Sequence, residues 1–258
     1  MPTIKENILK WNTDSIWEKG GEDWSSEWGS SERQWQSTIF PRLHHFVPVE
    51  TILEIGPGFG RWTRFLKDLS KNLVIVDLSD KLIDACRKRF SSCDHITYHV
   101  NDGKSLDMIP DGSIDFVFSF DSLVFCEQDV IESYVDQLAK KLKTDGVGFI
   151  HHSNLGEYKT YFSIAGGLIS LTSKVSNRLL LALLKLGIVE DDHWRAKSVT
   201  AKIFEECVEK AGMSCISQEI VNWRTTTRLI DCISIFTQTG SRWERPNKIV
   251  KNRDFAHA

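Results

Sequence analysis

Acidic and histidine side chains close most of the short apolar runs of this chain: Glu54, Asp77, Asp102, Asp121 and the pair His151 and His152. Just after the first of them, EIGPGFG places Gly56, Gly58 and Gly60 within five positions. A glycine-rich turn between a strand and a helix lets the backbone approach a ligand, which can be a dinucleotide, a phosphate or a cation. The glycines also suit a plain tight turn. The dinucleotide pattern G-x-G-x-x-G is not met, because the third glycine comes one place early. Carboxylates at Glu54 and Asp121 would repel a pyrophosphate and attract a ligand with a sulfonium and an ammonium group. The guest is therefore expected to be cationic around its middle.

Positioning these residues takes a particular set of elements. β-Branched and aromatic runs at 51–55, 73–77, 96–100, 114–120 and 147–152 predict strands. Helical spacing at 60–70, 80–90 and 128–143 alternates with them, for example Val130, Tyr134, Leu138 and Leu142 on one face. Alternation of this kind predicts a doubly wound, Rossmann-like α/β sheet, whose ligand crevice lies at the carboxyl ends of the strands. A helix near 199–212 and strands at 213–221 and 229–239 follow, the last two as an antiparallel hairpin at the sheet edge. The tail from Arg242 reads as a frayed end.

With E-x-G-P-G-F-G at 54–60, VIVDLSDKLIDAC at 74–86, NDG at 101–103 and SIDFVFSFDSL at 113–123, the chain resembles the class I S-adenosylmethionine (SAM)-dependent methyltransferases. The resemblance covers residues 50–152 closely and the rest loosely. It implies SAM as cofactor and S-adenosylhomocysteine as product. Gly56, Gly58 and Gly60 would then let the backbone reach the methionine portion. Asp77 would accept from the ribose hydroxyls, with Leu78 beside it, and Asp102, flanked by Asn101 and Gly103, would meet the adenine. Glu54 would support the loop or the ammonium, and Phe120 with Asp121 would line the methyl side. Simpler roles are open too, Asp77 as a helix cap and Asp102 as a turn residue.

Methyl transfer from a sulfonium is an in-line displacement, so the protein mainly aligns acceptor and methyl carbon. A hydroxyl acceptor gains from a base, and histidine suits that near neutral pH. Strand alternation allows only one of His151 and His152 to face the acceptor easily. The expectation is His152, with Asp121 orienting it or binding the acceptor, and with Asn154 and His193 as further acceptor contacts; packing or backbone bonding is the rival role for both histidines. No paired carboxylates stand near 121–154, so no metal is expected.

Five of the nine tryptophans lie in residues 1–45, and Trp24, Trp28 and Trp35 have helical spacing. In an otherwise polar stretch they suit a sugar or nucleotide acceptor under an N-terminal lid, although packing produces the same pattern. Residues 153–197 are expected to form a helical cap insert within a methyltransferase domain spanning 46–258. The Trp-rich start and HHSN at 151–154 make the whole chain similar to small methyltransferases of bacterial surface-polysaccharide synthesis. That likeness implies O-methylation of a sugar, as a nucleotide-activated sugar or a glycan intermediate, in capsule or lipopolysaccharide assembly. Methylation of a small natural product or phenol, and a non-catalytic SAM-binding partner protein, are the competing functions.

Composition narrows the partners. A chain of 258 residues, 41% hydrophobic and with a net charge of −3, can bury one core and offers no dominant surface for nucleic acid. Six scattered cysteines without ligand spacing fit reduced thiols in the cytoplasm. No run is long and apolar enough to span a bilayer, and oligomeric state is not legible.

Overall fold

The computed structural model describes residues 2–13, 17, 19–166, 190–223 and 226–255. Eight strands form one sheet: β1 (Val49–Ile55), β2 (Ser70–Asp77), β3 (Ile96–Val100), β4 (Ile114–Ser119), β5 (Leu142–Ser153), β6 (Met213–Val221), β7 (Asp231–Gln238) and β8 (Lys248–Asn252). Their order is β3-β2-β1-β4-β5-β7-β6-β8. β7 pairs antiparallel with both β5 and β6, whereas the other pairings are parallel. The doubly wound α/β architecture expected from the alternating pattern is thus the observed one.

Helices cover both faces. Four matter here: α1 (Ile4–Trp11), α2 (Asp80–Arg89), α3 (Gln128–Lys141) and α4 (Ala201–Lys210). Ser79 and Thr200 start α2 and α4 by accepting hydrogen bonds from Leu82 and Ile203 backbone N–H groups. Side chains alternate across the sheet, so Ile52, Phe116 and Phe149 enter one apolar cluster while Leu53, Val117 and Ile150 enter the other.

Three expectations change. The helix predicted over 60–70 is α-helical only at Thr63–Leu66, since the glycine turn extends past Gly60, at φ +80°, and β2 already begins at Ser70. The hairpin β6–β7 is not at the edge, because β8 pairs with β6 outside it. Far from fraying, the tail brings Phe255 to full burial against Trp28 and Trp223. Exposed lysines at 248 and 251 suit an open edge strand, where charge discourages further pairing.

Of the insert, Leu155–Tyr158 forms a 3₁₀ turn, and the part of the cap expected at 167–189 lies outside the described residues. Among the described residues, no helix is long and apolar enough to cross a membrane. All six cysteines are free thiols.

Candidate active site

Two adjoining cavities open at the carboxyl ends of β1, β2 and β4. The first, of about 630 Å³, has a floor of Gly56, Gly58, Asp77, Leu78 and Phe120 and a roof of Trp11, Trp17 and Trp24. Backbone conformation explains the glycines: φ is +74° at Gly56 and +57° at Gly58, in the region that other residues enter at a cost. Space is the second reason. A Cβ on Gly56 would lie 1.8 Å from the Ser122 hydroxyl, and one on Gly58 would lie 2.7 Å from the Trp17 ring. Gly60 faces away, its missing Cβ leaving room for Phe90.

Asp77 ends β2 as a buried carboxylate that accepts from the Ser79 N–H at 3.0 Å. Burial pushes its carboxyl up to about 6. Glu54 lies beneath the loop rather than in the cavity wall, accepting from the Thr63 hydroxyl at 2.6 Å. Its burial raises the carboxyl to about 8. The NDG turn is not brought to the cavity. Asp102 is exposed and accepts from the N–H groups of Lys104 and Ser105, Asn101 bonds the Ser105 carbonyl and the Tyr134 hydroxyl, and Gly103 lies under Ile4 of α1.

The second cavity, of about 950 Å³, shares Trp11, Trp24, Asp121 and Phe125 with the first and adds Lys10, Trp223 and the segment Asp191 to Arg195. Backbone strain concentrates here. Among the described residues, the non-glycine positions with positive φ are Asp121 at 61°, His193 at 48° and Trp194 at 63°, and all three line this cavity. Each such position costs about 1–3 kcal/mol and persists where its surroundings over-determine it, commonly at functional sites.

Behind Asp121 runs a buried chain of charge. Arg61 binds the Asp121 carboxylate and also donates to the Ser25 hydroxyl at 3.0 Å. His151 Nδ1 lies 3.3 Å from Asp121 Oδ1, and its Nε2 lies 3.3 Å from Asp231 Oδ2. Arg195 closes the chain with two bonds to Asp231, at 2.9 and 2.8 Å. Burial raises the Asp121 carboxyl, but Arg61 and His151 outweigh it and hold it below the ordinary value. At His151 burial lowers the imidazole, and the two carboxylates outweigh that and raise it.

His152 lines neither cavity. It sits on the opposite face of β5, its ring stacked on Phe204 of α4 with centroids 4.1 Å apart. Its Nδ1 donates to the Ser153 carbonyl at 2.9 Å and its Nε2 accepts from the Ser234 hydroxyl at 2.8 Å. Burial lowers it to about 3, so it is neutral at ordinary pH. The expectation that His152 faces the acceptor is corrected, and the residue on that face is His151.

Trp28 and Trp35 are core residues. Trp28 packs on Trp223 and Phe255, and Trp35 stacks on Phe65 with centroids 4.7 Å apart. Only Trp24 of the three reaches the cavities, because the stretch is a 3₁₀ helix at Glu22–Trp28, a break at Gly29 and then a π-helical turn at Trp35–Ile39, not one α-helix. Asn154 is likewise structural: it donates to the Leu229 carbonyl and accepts from the Ala201 N–H. His193 does line the second cavity.

Sequence reading missed Arg61, Trp11, Trp17, Trp194, Arg195 and Asp231. Three of these had a signal: Arg61 follows the glycine loop directly, and Trp194 and Arg195 adjoin His193 in DDHWR. Asp231 had none, being one acidic residue at the start of a late strand. Among the described residues, no three His, Cys, Asp or Glu side chains are grouped to hold a metal ion.

The first cavity fits SAM. Gly56 and Gly58 form a cradle that a Cβ would fill, Asp77 offers a buried carboxylate for hydroxyl groups, and the indole roof offers apolar faces to a cation. Residues 52–146 match the family model described as "Methyltransferase domain". Phosphoethanolamine N-methyltransferase 1 of Caenorhabditis elegans is 24% identical over 157 residues, covering 57% of this chain and 32% of that protein. The chain spans about a third or less of the length of the curated relatives it matches. In fold it is similar to the PH0226 protein of Pyrococcus horikoshii OT3, with a TM-score of 0.58, 16% identity and coverage of 88% and 99% of the two chains. A TehB-like SAM-dependent methyltransferase from Corynebacterium glutamicum ATCC 13032 aligns with a TM-score of 0.52 and 15% identity over 91% and 97%. Residues 52–146 thus match a methyltransferase domain, and the cavity that the glycine loop and Asp77 line fits SAM as its cofactor.

Proposed function

We propose that the chain transfers a methyl group from SAM to a hydroxyl of a carbohydrate held in the second cavity, the acceptor being a nucleotide-activated sugar or a glycan intermediate. The observation that carries this reading is the place of Asp121. It lines both cavities, and its buried Oδ1 accepts no hydrogen bond. An acceptor hydroxyl donating to that oxygen would stand at the junction with the donor. SAM, when bound, supplies an activated methyl group on a sulfonium; the chain supplies alignment and a place for the proton.

The walls support a sugar. Indole rings of Trp11, Trp24, Trp194 and Trp223 offer apolar faces, and Asp191 and Asp192 offer acceptors for hydroxyls. Lys10 and Arg195 offset these carboxylates, which suits a neutral ring better than a free cation. The same two cations favour a second reading, a phosphorylated amine, in line with what the nematode relative is named for. Purified protein with labelled SAM is to be offered sugar nucleotides, simple phenols and phosphoethanolamine. Labelled sugar with stoichiometric S-adenosylhomocysteine is the expected result. Transfer to phosphoethanolamine or a phenol alone would displace the sugar, and SAM binding without transfer to any acceptor would favour a non-catalytic partner role.

A further inference from the structure

We propose that Asp231 is a positioning residue for methyl transfer: it fixes His151 with Nδ1 aimed at Asp121, so that the Asp121–His151 pair takes up the acceptor's proton. The proposal rests on the methyl-transfer reading above and assigns a role to a residue outside both cavity walls.

The geometry is that of a ring with a carboxylate oxygen 3.3 Å from each of its nitrogens, Asp121 Oδ1 from Nδ1 and Asp231 Oδ2 from Nε2, the latter nitrogen making no hydrogen bond elsewhere. Asp231 opens β7, antiparallel to β5, and meets His151 as its diagonal neighbour on the same face. Nδ1 accepts a hydrogen bond from the backbone N–H of Asp121 at 3.3 Å. A neutral imidazole has one N–H, so that proton belongs on Nε2, facing Asp231 Oδ2 at 3.3 Å. The basic lone pair is then on Nδ1, 3.3 Å from Asp121 Oδ1. Asp231 is itself pinned by the two bonds from Arg195, whose guanidinium also donates to the His193 carbonyl at 3.2 Å. The strained acceptor segment and the histidine thereby share one anchor.

In the step this allows, the acceptor's O–C bond forms as the donor's C–S bond breaks, with its electron pair left on sulfur. The acceptor's O–H proton passes to Asp121 Oδ1 and then to His151 Nδ1. An imidazolium between two carboxylates results, and it returns the proton to solvent after product leaves. The charged groups around His151 are Asp121 after β4 and Asp231 on β7, backed by Arg61 and Arg195; Phe120 and Trp223 present only ring faces. The raised imidazole agrees with this surrounding.

Long-range ¹⁵N–¹H correlation spectra of the full chain, recorded across about pH 5 to 9, report the tautomer and titration of His151 without any acceptor. Expected are Nε2–H in the neutral form and a midpoint above the ordinary value of about 6.5. A neutral Nδ1–H form, or a midpoint at or below that value, would overturn the proposal. Asp231→Asn should lower kcat by about 10²-fold and move the acidic limb of the pH–rate profile down by about one unit, with KM for SAM nearly unchanged. An unchanged limb in an active variant overturns the proposal alone, whereas no transfer by the unaltered chain overturns the methyl-transfer reading. Should Asp231→Asn fail to fold, the titration of the unaltered chain decides.

Discussion

Trp17 lies directly over Gly58, so close that a Cβ on the glycine would stand 2.7 Å from the indole. The same indole stacks on Phe59, with centroids 4.9 Å apart, and its Nε1 donates to the Trp11 carbonyl at 2.6 Å. The N-terminal segment therefore roofs the first cavity as well as the second. Gly58→Ala must bear the left-handed backbone cost of about 1–2 kcal/mol and displace the ring. SAM affinity is expected to fall about tenfold or more, measured by calorimetry in a folded variant; an unchanged Kd would show that this contact does not shape the donor site.

For Asp77, the charge-assisted bonds to hydroxyls are each worth about 1.5–3 kcal/mol, so Asp77→Ala is expected to weaken SAM binding at least tenfold. The pH dependence has a definite sign. Burial holds this carboxyl at about 6, so the acceptor form is lost as pH falls through that value. SAM affinity should decline below pH 6 in the unaltered protein and be flat across that range in Asp77→Asn, checked by titration at several pH values.

Glu54 predicts a stability effect of the opposite kind from an ordinary surface carboxylate. Its folded value of about 8 lies above the unfolded one, so the folded state holds a proton that the unfolded chain releases. This contribution is full below about pH 4.5 and is lost as pH rises through 8, with a limiting slope of about 1.4 kcal/mol per unit. His152, lowered to about 3, acts in the other direction only below its unfolded value near 6.5. Between about pH 6.5 and 8 Glu54→Gln should therefore flatten the fall in Tm, and parallel Tm curves for the two proteins would contradict the burial of a neutral acid.

The tryptophans should separate cleanly. Trp28→Ala and Trp35→Ala empty core positions and are each expected to cost about 3–5 kcal/mol in urea denaturation. Trp24→Ala, at a half-buried position lining both cavities, should cost less stability and raise KM for donor and acceptor together. Equal losses of stability for all three, with unchanged kinetics for Trp24→Ala, would make Trp24 a packing residue as well.

His152→Ala removes a neutral, hydrogen-bonded ring from the α4 side of the sheet. Lower stability with near-normal kcat is expected, whereas His151→Ala should lower kcat by about 10² to 10⁴. Comparing turnover at saturating substrates with thermal denaturation of each variant distinguishes the two; a collapse of kcat in a stable His152→Ala protein would return the base to that residue.

Local pattern was enough for the parts of this protein that depend on neighbours in sequence. Alternating apolar runs gave the parallel sheet, because strand and helix periods are written into short windows. The glycine loop and Asp77 were legible for the same reason, a turn and the end of one strand. Strand alternation also put His151 and His152 on opposite faces of β5, but which one turns toward Asp121 depends on the face that α4 covers, and Phe204 with Ser234 drew His152 there. The Trp24–Trp28–Trp35 spacing misled because a glycine break and a π-turn change the phase of the helix. Asp231 became part of the site only when β7 inserted between β5 and β6, placing it beside a histidine some eighty positions earlier in the chain. Contacts of that length are set by which sheet neighbours bury the most surface together, and no window of the sequence contains that choice.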